Sequence, residues 1–107
     1  MPIAEITPAE LQQLLSDEIP PTLIDVREEI EAAICTIEGS ILIPMNTLPQ
    51  RLQEIPRGRP VALYCHHGMR SLDVAVWLRG QGVERAKSLA GGIDRWSAEI
   101  DPSVPRY

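Results

Sequence analysis

The chain has 107 residues, of which 44% are hydrophobic and 23% charged, enough apolar material for one folded domain over residues 1–107. Its net charge of −5 and the lack of any basic stripe argue against nucleic acid as a direct ligand. No apolar run is long enough to cross a bilayer, and the first residues do not form a signal peptide, so we expect a cytoplasmic protein that does not contact membranes.

Helical and extended patterns alternate along the chain. Thr7, Pro8 and Glu10 form a capping box with proline at the first helical position, which predicts that the first element is a helix starting there. Apolar residues at helical spacing predict further helices, weakly at 27–34 and more clearly at 47–55, 71–82 and 91–96. Short apolar runs predict strands at 22–26, 41–43, 60–64 and 86–90.

The strands have apolar residues at consecutive positions, a pattern typical of a sheet that is covered on both faces. Strands that alternate with helices through short loops indicate a mostly parallel sheet. The sequence therefore predicts an α/β fold, with the chemistry at the carboxyl ends of the strands.

Cys65 occupies such a position, because it follows the apolar run 61–64 and precedes a predicted helix. Gly68 gives the connecting loop the freedom to curl, and the unpaired N–H groups of a helix N-terminus would point at the cysteine. Arg70 adds a permanent cation. Together these features should favour the thiolate form of Cys65 and a bound anion.

A nucleophilic sulfur in an anion-binding loop is compatible with two reactions. The sulfur could attack phosphorus and form a phospho-enzyme, or it could attack another sulfur and form a persulfide. A phosphoryl group needs a wide cradle for three oxygens, whereas a single additional sulfur needs a tight one. The residues alone leave both reactions open.

Several motifs resemble those of the rhodanese-like sulfurtransferases. The loop from Cys65 to Arg70 has six residues, as in that family, and cysteine phosphatases would instead have arginine where Ser71 stands. The segments LIDVRE at 23–28, EGSILIPM at 38–45 and LAGGIDRW at 89–96 resemble other family motifs in the same order. The resemblance implies a single rhodanese domain, a five-stranded parallel sheet with helices on both faces, and a Cys65 persulfide.

The implied activity is the transfer of a sulfane sulfur, with thiosulfate as a typical donor and cyanide or a thiol as the acceptor. No metal or organic cofactor is expected, and the acceptor could be a protein. Two alternatives remain, namely a cysteine-dependent phosphatase or arsenate reductase, and a binding module that keeps the fold without catalysis.

Roles can also be predicted for the loop residues around the cysteine. We expect His66 and His67 to line the pocket mouth and donate hydrogen bonds to the anionic donor, although they could be solvated. Three consecutive residues do not easily converge on one metal ion, so we predict no metal site with Cys65. Gly68 and Met69 are assigned to the binding loop. Arg70 could bind the anion or stabilise the loop through its carbonyl groups.

Other residues have supporting or structural interpretations. Asp25 and Arg27 follow a strand near the loop, where they could be catalytic but are better explained as an ion pair that braces it. Ser71 is assigned a supporting role. Cys35 is expected to pack in the interior, with a resolving function towards Cys65 as the alternative. Both tryptophans, Trp77 and Trp96, are expected in the core.

Overall fold

A computed structural model describes residues 4–107, so the first three residues of the expected 1–107 domain lie outside the described part. Five parallel strands form one sheet in the order β1-β5-β4-β2-β3. The strands are β1 (Glu5–Ile6), β2 (Thr22–Asp25), β3 (Ile41–Leu42), β4 (Val61–Tyr64) and β5 (Ala86–Leu89). The helices are α1 (Pro8–Leu15), α2 (Glu29–Ala32), α3 (Met69–Gly80) and α4 (Gly92–Glu99), with a 3₁₀ segment at Met45–Glu54. The predicted five-stranded parallel sheet is confirmed.

Two apolar layers cover the sheet. On one face α3 and the 3₁₀ segment pack against β2 and β4, with Leu48, Val74 and Leu78 in this cluster. On the other face α1 and α4 contribute Leu11 and Trp96. Helices on both faces exclude water from the strands, which explains why the strands are apolar at consecutive positions.

The capping box predicted before α1 is present. The Glu10 backbone N–H donates to the Thr7 hydroxyl at 3.1 Å, and the Thr7 N–H donates to the Glu10 carboxylate at 2.8 Å. The prediction that this helix is the first element is wrong, because β1 precedes it and pairs with β5 at the sheet edge. A strand of two residues is too short to show a periodic pattern.

Two predicted helices differ from the observed elements. Residues 47–55 do not form a regular α-helix, because Pro49 lacks an N–H group and the backbone breaks at Arg51 (φ −114°, ψ 16°). Helix α3 begins at Met69 rather than at residue 71, which brings the first helical turn closer to the cysteine. Among the described residues, no helix is both long and apolar enough to span a membrane.

The core expectation holds for Trp96, which is 6% exposed, but is wrong for Trp77, which is 37% exposed. Trp77 lies in a surface groove of about 280 Å³ between α3 and the 3₁₀ segment. The outer face of α3 carries apolar residues, among them Met69 and Val76, as its inner face does. The sequence pattern of this helix therefore does not show that Trp77 is exposed.

Candidate active site

Cys65 directly follows β4, which lies between β5 and β2 in the middle of the sheet. Its side chain is buried, with only 1% of the residue exposed. Since all strands are parallel, the carboxyl ends of β2 and β4 lie at one edge, and this edge brings Asp25 and Arg27 near the cysteine loop. The position matches the expected junction between strand and helix.

Three donors converge on the Cys65 sulfur. The Gly68 N–H lies 3.1 Å from Sγ, and both the N–H and the hydroxyl of Ser71 lie 3.4 Å from it. The two backbone donors are the N–H groups of Gly68, just before α3, and of Ser71, in its first turn. Backbone N–H groups at these positions lack partners within the helix. The partial positive charge of the helix N-terminus and these hydrogen bonds stabilise negative charge on the sulfur.

Gly68 permits this curl because its φ is +100°, in the left-handed region that glycine adopts at little cost. A Cβ atom there would also lie 3.1 Å from the Gly91 nitrogen and 3.3 Å from the Leu89 oxygen. The loop therefore requires glycine for both its backbone conformation and its close contact with the segment that leads into α4.

The first turn of α4 holds the carbonyl groups of the loop. The Ile93 N–H donates to the Cys65 oxygen at 2.9 Å, and the Asp94 N–H donates to the His66 oxygen at 3.1 Å. Gly92 allows this approach, because a Cβ atom on it would lie 2.6 Å from the Cys65 oxygen. The Cys65 and His66 carbonyl groups thus face α4, while the Gly68 and Ser71 N–H groups face the sulfur.

Arg70 does not bond to the loop carbonyl groups. Its guanidinium forms two hydrogen bonds to the Glu31 carboxylate, at 2.7 and 2.9 Å. Hydrogen bonding from Arg70 is the main reason that the pKa of Glu31 falls to about 2. Because the Arg70 cation is paired with Glu31, an incoming anion would have to share it with this carboxylate.

Tyr107 closes the same side of the loop, although the sequence analysis assigned it no role. Its ring stacks on His66, with ring centroids 3.8 Å apart and planes within 7°. Its hydroxyl donates to Glu31 at 2.9 Å and accepts from Arg27 at 2.8 Å. Burial is the main cause that raises the pKa of Tyr107 to about 12, so the hydroxyl stays protonated at neutral pH.

Asp25 and Arg27 form a buried ion pair. The Arg27 Nε and Nη2 atoms donate to the two Asp25 oxygens at 2.9 and 2.8 Å, and Nη2 also donates to the Cys35 carbonyl oxygen at 2.6 Å. Arg27 is 0% exposed and is held by neighbours on several sides. Through these contacts Arg27 connects the end of β2 to the segment that follows α2 and to Tyr107, and so braces this part of the structure.

The remaining loop side chains point in different directions. Met69 is 75% exposed, and the side chain of His67 is 63% exposed. His66 lies between the rings of His67 and Tyr107, and its Nε2 atom is buried without a hydrogen-bond partner among the described residues. Cys35 is buried and, like Cys65, is a free thiol.

His66, His67 and Asp94 bring possible metal ligands within 4.8 Å of one another. However, the two imidazole rings are stacked, with centroids 3.8 Å apart and planes at 27°, so their nitrogen lone pairs lie in nearly parallel planes. Zinc needs ligands that converge at about 2.0–2.1 Å. Both Asp94 oxygens are also engaged by Arg106, at 2.9 and 3.0 Å. This arrangement does not suit a metal ion.

Sequence reasoning missed Glu31, Tyr107 and Ser88. Glu31 lies in the weak helical pattern at 27–34, which contains three glutamates, so nothing distinguished it. Tyr107 reaches Arg27 across 80 residues of sequence, and a contact at that separation leaves no local pattern. Ser88 lies in β5, and a serine in an apolar strand was the one visible indication of a buried polar contact.

Comparison with known proteins agrees with the motifs. The profile of the rhodanese-like domain matches residues 7–99. A sulfurtransferase from Allochromatium vinosum is 37% identical over 102 residues, which cover 95% of each chain. The probable adenylyltransferase/sulfurtransferase MoeZ from Mycobacterium tuberculosis is 35% identical, and the match covers 95% of this chain but only 26% of MoeZ.

Solved structures share the fold over nearly the whole chain. The protein SSP1007 from Staphylococcus saprophyticus has a TM-score of 0.83 and 31% identity, with 96% of this chain and 99% of that chain covered. The human single-domain sulfurtransferase TSTD1 has a TM-score of 0.84 and 26% identity, with 92% and 98% covered.

Proposed function

Because the chain belongs to the rhodanese-like domain family and is similar to its sulfurtransferases, we propose that Cys65 carries a sulfane sulfur from an anionic donor to a thiophilic acceptor. Thiosulfate is the donor with which we would test the reaction, and cyanide or a thiol is the acceptor. The physiological acceptor could be a small thiol or a protein.

The reaction has two displacement steps. In the first, the Cys65 thiolate attacks the outer sulfur of thiosulfate, a sulfur–sulfur bond forms to Cys65, and sulfite leaves with the electron pair of the broken bond. In the second, cyanide attacks the outer sulfur of the persulfide, a carbon–sulfur bond forms, and the sulfur–sulfur bond breaks with its electron pair going to Cys65, which releases thiocyanate and regenerates the thiolate. The atoms and charges balance in both steps, so neither step needs a metal or an organic cofactor.

The observation that carries the proposal is the convergence of the Gly68 and Ser71 donors on a buried sulfur. These donors lie 3.1–3.4 Å from the Cys65 sulfur itself, so they support its role as the nucleophile. A phosphoryl group would need donors for three further oxygens. The six-residue loop from Cys65 to Arg70, one residue shorter than that of cysteine phosphatases, supports sulfur transfer over phosphoryl transfer.

Arg70 is the group best placed to receive the oxyanion part of the donor. Its side chain is partly exposed beside the loop, and its charge interacts with that of Cys65. The Nε2 atom of His66 has no hydrogen-bond partner among the described residues but is buried beside Tyr107, so it would bind the donor only after the ring moves. Arg70 would act through the N–H groups that Glu31 leaves free, or by giving up one of its two bonds to Glu31.

Mass spectrometry of the intact protein tests the first step. Incubation with thiosulfate should add the mass of one sulfur atom to the wild-type protein and to Cys35→Ser, and nothing to Cys65→Ser. Subsequent addition of cyanide should remove the added mass and release thiocyanate. Cys35→Ser is the matched control, since Cys35 is the other buried free thiol.

The alternatives give different results in the same samples. If thiosulfate and other sulfane donors leave the mass unchanged while p-nitrophenyl phosphate is hydrolysed in a Cys65-dependent manner, the phosphatase alternative is correct. If neither reaction occurs and Cys65 alkylates with the pH dependence of an ordinary thiol, near pH 8.5, the chain is a binding module.

A further inference from the structure

Two buried hydroxyl groups form a chain of contacts to the Cys65 sulfur. The Ser71 Oγ atom is 3.4 Å from Sγ, and the Ser88 Oγ atom is 2.7 Å from Ser71 Oγ. Ser71 and Ser88 are both 0% exposed, so no solvent water contacts either side chain. Ser88 itself lies on β5, one strand away from the cysteine.

The position of Ser88 would ordinarily be apolar. Side chains alternate along a strand, and Ala86, two residues earlier, packs in the α3 layer. Ser88 faces the same layer and reaches the first turn of α3. A hydroxyl group buried there is costly unless it is hydrogen-bonded, and its partners are Ser71 and the Gly68 oxygen at 3.5 Å.

The hydrogen bond between the two hydroxyl groups can run in either direction. If Ser88 donates to Ser71, the Ser71 proton can point at Sγ or at the Gly68 oxygen, each 3.4 Å from Ser71 Oγ, and a negative sulfur is the stronger acceptor of the two. If Ser71 donates to Ser88, the sulfur loses its hydroxyl donor, and the Ser88 proton has only the Gly68 oxygen, which already accepts from the Leu72 N–H at 3.1 Å. Negative charge on the sulfur favours the first arrangement, since a hydrogen bond to an ion is the stronger one.

We propose that Ser88 is a positioning residue for Cys65, which donates to Ser71 so that the Ser71 hydroxyl donates to the sulfur anion. Ser88 does not touch the sulfur, and its effect passes entirely through Ser71. The inference rests on the proposed function in taking Cys65 as the nucleophile, but it concerns the stability of the thiolate and not the identity of the sulfur donor.

The test measures the rate of Cys65 alkylation by iodoacetamide against pH, in a Cys35→Ser background. No sulfur donor is present, so the result is independent of whether sulfur transfer occurs. Ser71→Ala should slow alkylation below the midpoint pH by about tenfold, as expected for a lost hydrogen bond to a charged group. Ser88→Ala should slow it by roughly threefold, because the hydrogen bond is weakened and not removed.

A double variant separates positioning from a general structural role. Ser71→Ala with Ser88→Ala should alkylate like Ser71→Ala alone, because Ser88 has no other route to the sulfur. A second pair of variants, Ser88→Thr and Ser88→Val, has matched size and differs in the hydroxyl. The threonine variant should alkylate several-fold faster than the valine variant at low pH, whatever the added methyl group does to stability.

Two results would overturn the proposal. One is equal alkylation profiles for serine and alanine, and for threonine and valine, at position 88. The other is an effect of Ser88→Ala that persists unchanged in the Ser71→Ala background. If the wild-type protein shows no sulfur transfer but the alkylation rates of the variants differ as expected, the proposed function is refuted and the role of Ser88 stands.

Discussion

Replacement of Gly92 by alanine should destabilise the protein and loosen the cysteine loop. Gly92 has a φ of +62°, and a Cβ atom there would lie 2.6 Å from the Cys65 oxygen. This oxygen is backbone, so it cannot move aside as a flexible side chain can. The α4 N-terminus and the loop must therefore separate.

The magnitude follows from two contributions. A left-handed conformation costs a residue with a Cβ atom about 1–2 kcal/mol. Separation of α4 from the loop also weakens the hydrogen bonds from Ile93 to Cys65 and from Asp94 to His66, each worth about 0.5–1.5 kcal/mol. Gly92→Ala should therefore reduce the free energy of unfolding by about 2–5 kcal/mol.

Gly39→Ala is the matched control. Gly39 also has a positive φ, +87°, but nothing lies within 4 Å of the position of its Cβ atom, so only the conformational cost of about 1–2 kcal/mol applies. Urea denaturation of both variants measures the difference, and thiol alkylation reports on the loop. Equal destabilisation by the two substitutions, with unchanged Cys65 reactivity, would refute the reasoning about α4.

Two further predictions concern the ion pairs around the site. Arg27→Met should lower the free energy of unfolding by about 3–5 kcal/mol, because it leaves the Asp25 carboxylate buried without its partner. Calorimetry or denaturant titration measures this loss. A decrease below about 1 kcal/mol would contradict the role of the ion pair as a buried brace. Because the folded-state pKa of Glu31 is lowered to about 2, its contribution to stability is complete above pH 4.5 and is lost as the pH falls towards 2. Glu31→Gln should flatten the pH dependence of unfolding in this window and leave it unchanged above pH 5, and an identical acid profile for the two proteins would show that the Arg70 pair does not form.

Local patterns were sufficient to predict four of the five strands and the position of Cys65 between a strand and a helix, but not the two-residue strand β1. Strands covered on both faces need apolar residues at consecutive positions, and a cysteine after such a strand, with Gly68 close behind, can only lie at the strand–helix junction. The spacing from Cys65 to Arg70 and the capping box at Thr7 are equally local, because each depends on residues no more than five positions apart in the sequence.

What surrounds the sulfur depends on contacts that are distant in sequence. The pairs Arg70–Glu31 and Arg27–Tyr107 join residues 39 and 80 positions apart, and the fold alone decides which of the acidic residues or tyrosines is in reach. Of the two roles predicted for Arg70, bonding to the loop carbonyl groups is not observed, for a related reason. Those carbonyl groups are taken by α4, an element whose docking could not be predicted from the loop itself.

Two N–H groups of the loop, those of Gly68 and Ser71, face the sulfur, and two carbonyl groups, those of Cys65 and His66, are held by α4. This arrangement has an electrical consequence for the proposed reaction. Persulfide formation moves the negative charge outward by one sulfur–sulfur bond, about 2 Å. In water this displacement would require solvent dipoles to rotate. Here the donors are N–H groups held in place by the start of α3 and by the docking of the loop on α4, so the polarisation exists before the charge arrives and only small adjustments accompany its transfer.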